Sequence, residues 1–450
     1  MMKESKTNVV NPDKIGVGKF WAWQSRGASA AINFIVVSFV AIYCTDSLGM
    51  PPALVGTLLA VSSVIDAITD LFAGYLVDKT NTKWGKGRPY EWAIVAEWII
   101  TFLMYSTPAG ASLVVKAVWI LVCRILINSV CTTLLSACQN PYMIRAFATN
   151  NQRVKLATFG GIVIMLASMV INIAFPIMMA NIATSPQGWS HMVLLIALPA
   201  AFIGIMRFFF VKETVKVMDA SEHEEVKLSD VFSVLKKNPY VWMVGFMYFG
   251  YTLVTGMGIN TYFFTWVVGD IKKMSAASAI AIVALPLLFV FPTIMKNATK
   301  SLLVQAGCIA YIIAGFIMFF CYKSYTTLLV GFVFTGIASL PITYLTDLMM
   351  LDCGTYNAHI SKKRMDGTIG AIKGFLGKIG GALGLGMVGW LLQAGHYDGT
   401  LSTQPDSALF MIRFLIGIVP VIIFAAIAIM MMFYKVDSML PELEKEQNIQ

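Results

Sequence analysis

The feature that most constrains this chain is a succession of apolar runs, each about 18–25 residues long and so able to cross a bilayer as one helix. The segments INFIVVSFVAIYC, LPLLFVFPTIM and FLIGIVPVIIFAAIAIMMMF are their plainest stretches. Lipid offers the backbone no water partner, so only helices or closed barrels span it, and unbroken apolar runs lack the alternation of a barrel. Composition agrees: 58% of the residues are hydrophobic and 13% charged, against roughly 45–50% and ~25% in soluble domains. The chain is therefore predicted to be an all-α polytopic membrane protein.

The runs predict twelve transmembrane helices near 20–45, 54–77, 91–108, 115–143, 157–182, 191–211, 240–268, 277–295, 301–321, 326–351, 368–394 and 407–434. The polar stretch Met1–Lys19 precedes a first span too long for a signal-peptide core, so no cleavage is expected. Most of the 33 Lys and Arg fall on the side of the termini, which places both termini in the cytoplasm of a cytoplasmic membrane. The net charge of +9 belongs to that rim and gives no reason to expect nucleic acid as a partner. The longest polar interruption, 212–239, divides the chain into bundles at 1–211 and 240–434, with a tail at 435–450. Within it, Leu228, Val231, Phe232 and Leu235 share one face of a short amphipathic helix. Six plus six spans around such a linker is the major-facilitator layout, and twelve spans suffice for a working monomer.

Nothing in the sequence suggests an enzyme. The seven cysteines form no CxxC pair and lie mostly in spans, where small apolar packing explains them. The four histidines sit in loops or at span ends. Gly384, Gly386 and Gly389 fit a GxGxxG pattern, but inside a span, where glycines serve helix packing. Asn297 and Thr299 fit a glycosylation sequon on the predicted cytoplasmic side. No cofactor is expected.

Charges within spans carry more information, because each costs about 2.5–3.5 kcal/mol at a helix centre. Arg26, Lys373, Arg207 and Arg413 lie within about two turns of a span end, close enough to snorkel to the headgroups. Asp66, Asp70, Glu97, Arg124 and Lys378 are deeper. Asp66 and Asp70 share a helix face at i,i+4. At 1.5 Å per residue, Asp66 lies ~18 Å from the outer end of its span and Lys378 ~15 Å from the inner end of its own, nearly level in a ~30 Å core. Two adjacent carboxylates in low dielectric call for a proton, a bound cation or a nearby ammonium. These residues suit a cation site with Lys378 as internal competitor, or a permanent bridge between two helices. Glu97 and Arg124, on consecutive helices, are candidates for a structural ion pair, or for a part in substrate binding or gating. Gly370, Gly374, Gly377, Gly381 and Gly384 form a stripe that admits a close neighbouring helix.

The segment DAITDLFAGYLVDKTNTKWGKGRPY resembles the second span and following loop of the glycoside–pentoside–hexuronide cation symporters, the branch that includes the melibiose carrier. Asp66, Asp70, Gly74, Asp78, Arg88 and Pro89 match that pattern. Asn140, Pro141 and Tyr142 resemble the end of the family's fourth span, and Arg364, Asp366, Gly367, Phe375 and Lys378 its later motifs. The resemblance implies a site for Na⁺, Li⁺ or H⁺ at Asp66 and Asp70. It also implies further oxygen ligands at Thr69 and Ser136, coupling through Lys378, and gating or structural roles for Asp78, Arg88, Arg364 and Asp366. On the sugar side the chain departs from the melibiose carrier: Ala30, Gln139 and Gly161 stand where that carrier has Asp, Asp and Arg. Gln139 and Asn140 are left to bond hydroxyls, with Trp21, Trp23, Tyr142 or Trp266 to stack on a sugar face.

The expectation is thus a symporter that couples Na⁺ or H⁺ entry to uptake of a glycoside, oligosaccharide or uronide. The alternative keeps the cation site and carries a non-sugar solute such as an amphiphile or lipid.

Overall fold

The computed structural model describes residues 15–80, 82–215, 238–280, 293–294, 298–361 and 366–440. The first span is α1 (Val17–Ser38), extended by a short turn and a π-helical segment, Tyr43–Ser47. Pro52 then opens α2 (Pro52–Lys79), its missing N–H falling where a helix has no acceptor. The third span is α3 (Ala93–Met104). The fourth is α4 (Leu113–Ile125), a π segment (Leu126–Thr132) and α5 (Thr133–Ala146). Helices α6 (Asn150–Ile182) and α7 (Pro186–Phe210) complete the first bundle.

The second bundle begins with α8 (Pro239–Gly256), which passes through a break into a π segment, Phe263–Val267. It continues with α9 (Lys273–Ile280), α10 (Lys300–Phe320), α11 (Tyr325–Ser361) and α12 (Asp366–Ala394). The last span is α13 (Asp406–Arg413), a π segment (Phe414–Ile418) and α14 (Val419–Met431). Most of the eighth span, and the expected linker helix around Leu228–Leu235, lie outside the described residues.

Helix starts are set by polar caps at the membrane surface. Ser112, Thr149, Ser185, Asn238 and Thr299 each accept the backbone N–H three residues on, replacing a partner that lipid cannot supply. Two spans run beyond their apolar cores: α6 starts at Asn150, not 157, and α11 ends at Ser361, not 351. Their extra turns are polar but contain no proline, so nothing stops the helix at the headgroups. The seventh span is broken instead, at Met257–Ile259, where Gly258 has φ +62°.

The start of α1 and the end of α14 both lie on the face opposite the one where Asp46 meets Trp266 and Tyr397 and where Ser407 meets Gly395; that shared face is the terminal side. The bundles meet mainly through α2 and α12. Gly56 and Gly389 bring these helices into backbone contact: a Cβ on Gly56 would fall 2.9 Å from the Gly389 Cα.

Arg26 and Arg207 do not snorkel. Both are buried around the fully buried Glu91: Arg207 Nη1 lies 3.2 Å from Glu91 Oε1 and Arg26 Nε 3.6 Å from Oε2. The guanidinium of Arg207 also lies over the Trp23 ring, 3.5 Å from its centroid, and Arg207 Nε donates to the Trp23 carbonyl. A carboxylate between them inside the protein is a better partner than headgroups at the end of a short reach. Lys373 pairs with Asp347, and Arg413 lies over the Tyr322 ring at 4.3 Å.

Candidate functional site

Midway through the molecule, α2 presents Asp66 and Asp70 to α5 on one side and to α12 on the other. Lys378 of α12 donates to both carboxylates, reaching Asp66 Oδ2 at 2.9 Å and Asp70 Oδ2 in a shorter contact. The side chains of Asp66, Lys378 and Asp70 retain 21%, 31% and 41% of their exposure. The site is therefore less enclosed than the Glu91 cluster.

The other two carboxylate oxygens converge on Thr133, whose hydroxyl lies 2.7 Å from Asp70 Oδ1, 3.2 Å from Asp66 Oδ1 and 3.1 Å from the Asn128 carbonyl. A hydroxyl has one hydrogen to donate, so four oxygens gather around a single proton. Such a group is short of positive charge and suits a hard cation, which takes oxygen ligands. Among the described residues no cluster of three or more His, Cys, Asp or Glu has the makings of a transition-metal site.

Thr133 is a carboxylate partner that the sequence did not single out; the family resemblance implied Ser136 instead. Ser136 is exposed one helical turn away, with no carboxylate contact. Thr133 directly follows the π segment Leu126–Thr132, where one extra residue in a turn rotates the face that follows. Apolar patterning does not reveal such a bulge. Thr69 is half-buried and donates to the Asp66 carbonyl of its own helix at 3.0 Å.

Glu97 and Arg124 do not form the expected ion pair. Glu97 Oε1 accepts from Thr132 at 3.3 Å, while Arg124 is buried near Cys44, Tyr105 and Asp66. Glu97 Oε2 and Arg124 Nε have no hydrogen-bond partner.

Of the expected sugar contacts, Trp23 and Tyr142 are 2% and 0% exposed and cannot stack on a solute. Arg207 covers the Trp23 ring, and the Tyr142 hydroxyl donates to the Val211 carbonyl at 2.6 Å. The Gln139 side-chain oxygen accepts from Arg26 and, at 2.7 Å, from Arg207. Asn140 is exposed. Trp266 lies at the face opposite the terminal side and donates to Asp46 at 3.1 Å. Arg88 Nε donates to the Phe208 carbonyl at 2.8 Å, its guanidinium 4.8 Å from the Phe208 ring centroid. Arg364 and the side chains of Asp78 and Asp366 lie outside the described residues.

A cavity of about 520 Å³ opens between the bundles, lined by Asn172 of α6, Thr255 of α8, Asn260, and Thr335 and Ser339 of α11, with methionines among them. That volume lies within the ~300–1,000 Å³ range of small-molecule sites.

Residues 26–438 match the family described as MFS/sugar transport protein. The chain is 27% identical to the isoprimeverose transporter of Lactiplantibacillus pentosus, across 97% of this chain and 92% of that one. It is 25% identical to the inner membrane symporter YicJ of Escherichia coli K12, across 93% and 90%. Among solved structures it resembles a bacterial homologue of the human lysosomal transporter Spinster in an inward-facing, unoccupied conformation. The TM-score is 0.69 at 13% identity, over 93% of this chain and 97% of that one, a likeness in fold alone. With twelve spans in two six-helix bundles and paired carboxylates at their interface, the chain belongs to the MFS/sugar transport family, in its glycoside–pentoside–hexuronide cation symporter branch, and is a transporter, not an enzyme.

Proposed function

We propose that the protein couples entry of one Na⁺ to uptake of a neutral glycoside or oligosaccharide across the cytoplasmic membrane, as a monomer with both termini in the cytoplasm. The observation that carries this is the contact of Lys378 with Asp66 and Asp70. Here an ammonium from the second bundle occupies the place of a monovalent cation on the first. When Lys378 withdraws, two carboxylates, the Thr133 hydroxyl and the Asn128 carbonyl remain as an oxygen-only site, and Na⁺ suits such a donor set. Cation and solute then bind cooperatively, because each favours the arrangement the other needs.

Two observations support the solute class and the direction. The described lining of the 520 Å³ cavity includes amides and hydroxyls but no charged side chain, which favours a neutral sugar over a uronide. Hydrogen bonds join the bundles at the Asp66 level and on the face away from the termini, which supports a state closed on that face. The methionines in its wall keep an amphiphile as the second reading.

The test is thermal unfolding of the purified protein with a panel of glycosides and uronides, in Na⁺ and in choline. A ligand at a hundredfold excess over Kd adds about 2.7 kcal/mol. The expected result is a glycoside shift that grows with Na⁺ and is lost in Asp70→Asn, together with loss of gradient-driven uptake by that variant in proteoliposomes. Unchanged uptake by Asp70→Asn overturns the assignment. A response to pH but not to Na⁺ replaces Na⁺ with H⁺, and a shift with amphiphiles alone replaces the sugar.

A further inference from the structure

At the face away from the termini, the first helices of the two bundles carry the same irregularity. Both end in a short helical turn followed by a π segment, Tyr43–Ser47 in the first and Phe263–Val267 in the second. Side chains on and beside these segments meet across the bundle interface around one carboxylate. Asp46 Oδ1 accepts from the Tyr397 hydroxyl at 2.6 Å and from Thr45 at 2.6 Å. Asp46 Oδ2 accepts from Trp266 Nε1 at 3.1 Å, and the hydroxyls of Thr45 and Tyr262 lie 3.1 Å apart. Among the described residues no cation lies within 4 Å of Asp46.

The loop that brings Tyr397 here is itself fixed. Asp398 accepts from the amide and hydroxyl of Thr400, which hold its carboxyl below the usual range. Gln404 braces the Asp398 backbone at both N–H and C=O. Gly399 lies directly on the Thr45 and Asp46 backbone, with no room for a Cβ.

From this arrangement we infer that Asp46, with Tyr397, Trp266 and Tyr262, is the latch that closes the carrier on the face away from its termini, and that Asp46 sets the share of molecules closed there. The chemistry suits a contact that must open every cycle. Hydrogen bonds to a carboxylate are about twice as strong as neutral ones, so two donors from the other bundle hold the face shut. When the bundles part, water replaces those donors, and the loss is largely recovered. A buried ion pair would strand a second charge on opening, and an apolar seal would have nothing to gain from water. Asp46 touches neither the Asp66–Asp70 site nor the described lining of the cavity, so its role is positioning.

The test is reagent access in the full-length protein carrying Cys321→Ser, to remove the exposed native thiol. A reporter, Thr255→Cys, lies on the cavity wall, before the break that separates α8 from the latch residue Tyr262. Membrane vesicles are chosen in the orientation in which a separate Thr400→Cys variant reacts at once with an impermeant maleimide, which identifies the latch face without assuming topology. Asp46→Ala is expected to raise the labelling rate of Thr255→Cys by about tenfold, the effect of losing charge-assisted hydrogen bonds net of rehydration. Tyr397→Phe and Trp266→Phe, which each remove one donor and keep a ring, are expected to give smaller increases. Labelling within twofold of the parent in all three variants overturns the latch. If Asp46→Ala fails to fold, the two ring variants decide. The assay needs neither solute nor coupling ion, so its failure is distinct from failure of the Na⁺–glycoside assignment.

Discussion

Thr133 and Ser136 stand one helical turn apart on α5, and only Thr133 reaches the paired carboxylates. Removing its hydroxyl without changing shape, in Thr133→Val, takes one oxygen from the proposed cation site. Hydrogen bonds to charged groups contribute about 1.5–3 kcal/mol, so Na⁺ affinity read by thermal shift is expected to fall by about tenfold or more. Ser136→Ala is expected to leave it within about twofold; equal losses in the two variants would return the ligand to Ser136. Asp66, Asp70 and Lys378 were legible in the sequence because a charge in a span needs a local reason. Thr133 was not, because threonine is common in spans and its direction depends on a π bulge that leaves no mark in the apolar pattern.

The glycines of α12 differ in what they meet. Gly377 packs on the Tyr248 ring, and Gly380 and Gly384 press on the α8 backbone at Phe249 and Leu253. Gly370 and Gly374 have nothing within 4 Å. Gly384→Val therefore forces α8 and α12 apart, an overpacking cost of about 1–3 kcal/mol or more, read as a lower melting temperature of the purified protein. Gly374→Ala is expected to leave the melting temperature unchanged, and a matching drop there would show that glycine matters for bending, not for contact. The stripe itself was legible from spacing. Which of its members touch a neighbour depends on where α12 leaves α8 for α2, a crossing that one helix cannot encode alone.

Across the whole first bundle, Glu91 ties α1, α5 and α7 together through Arg26, Arg207 and Gln139. Glu91→Gln leaves two buried guanidiniums without their carboxylate, and breaking a buried pair from one side costs about 3–5 kcal/mol. The expected outcome is a large fall in thermal stability with the Na⁺-dependent shift retained in whatever protein folds. Loss of that shift at unchanged stability would instead place Glu91 in the transport chemistry. The amino-acid sequence by itself determined the membrane class, the span count and the carboxylate–lysine pairing, because hydropathy and the cost of burying charge act locally along a helix. Only the tertiary structure decided which arginines are buried, that Trp23 and Tyr142 are sealed in packing, that Thr133 is the hydroxyl touching the paired carboxylates, and that Asp46 meets Tyr397 and Trp266. Those outcomes depend on the rotation and crossing of helices far apart in the chain, which no periodicity within one span specifies.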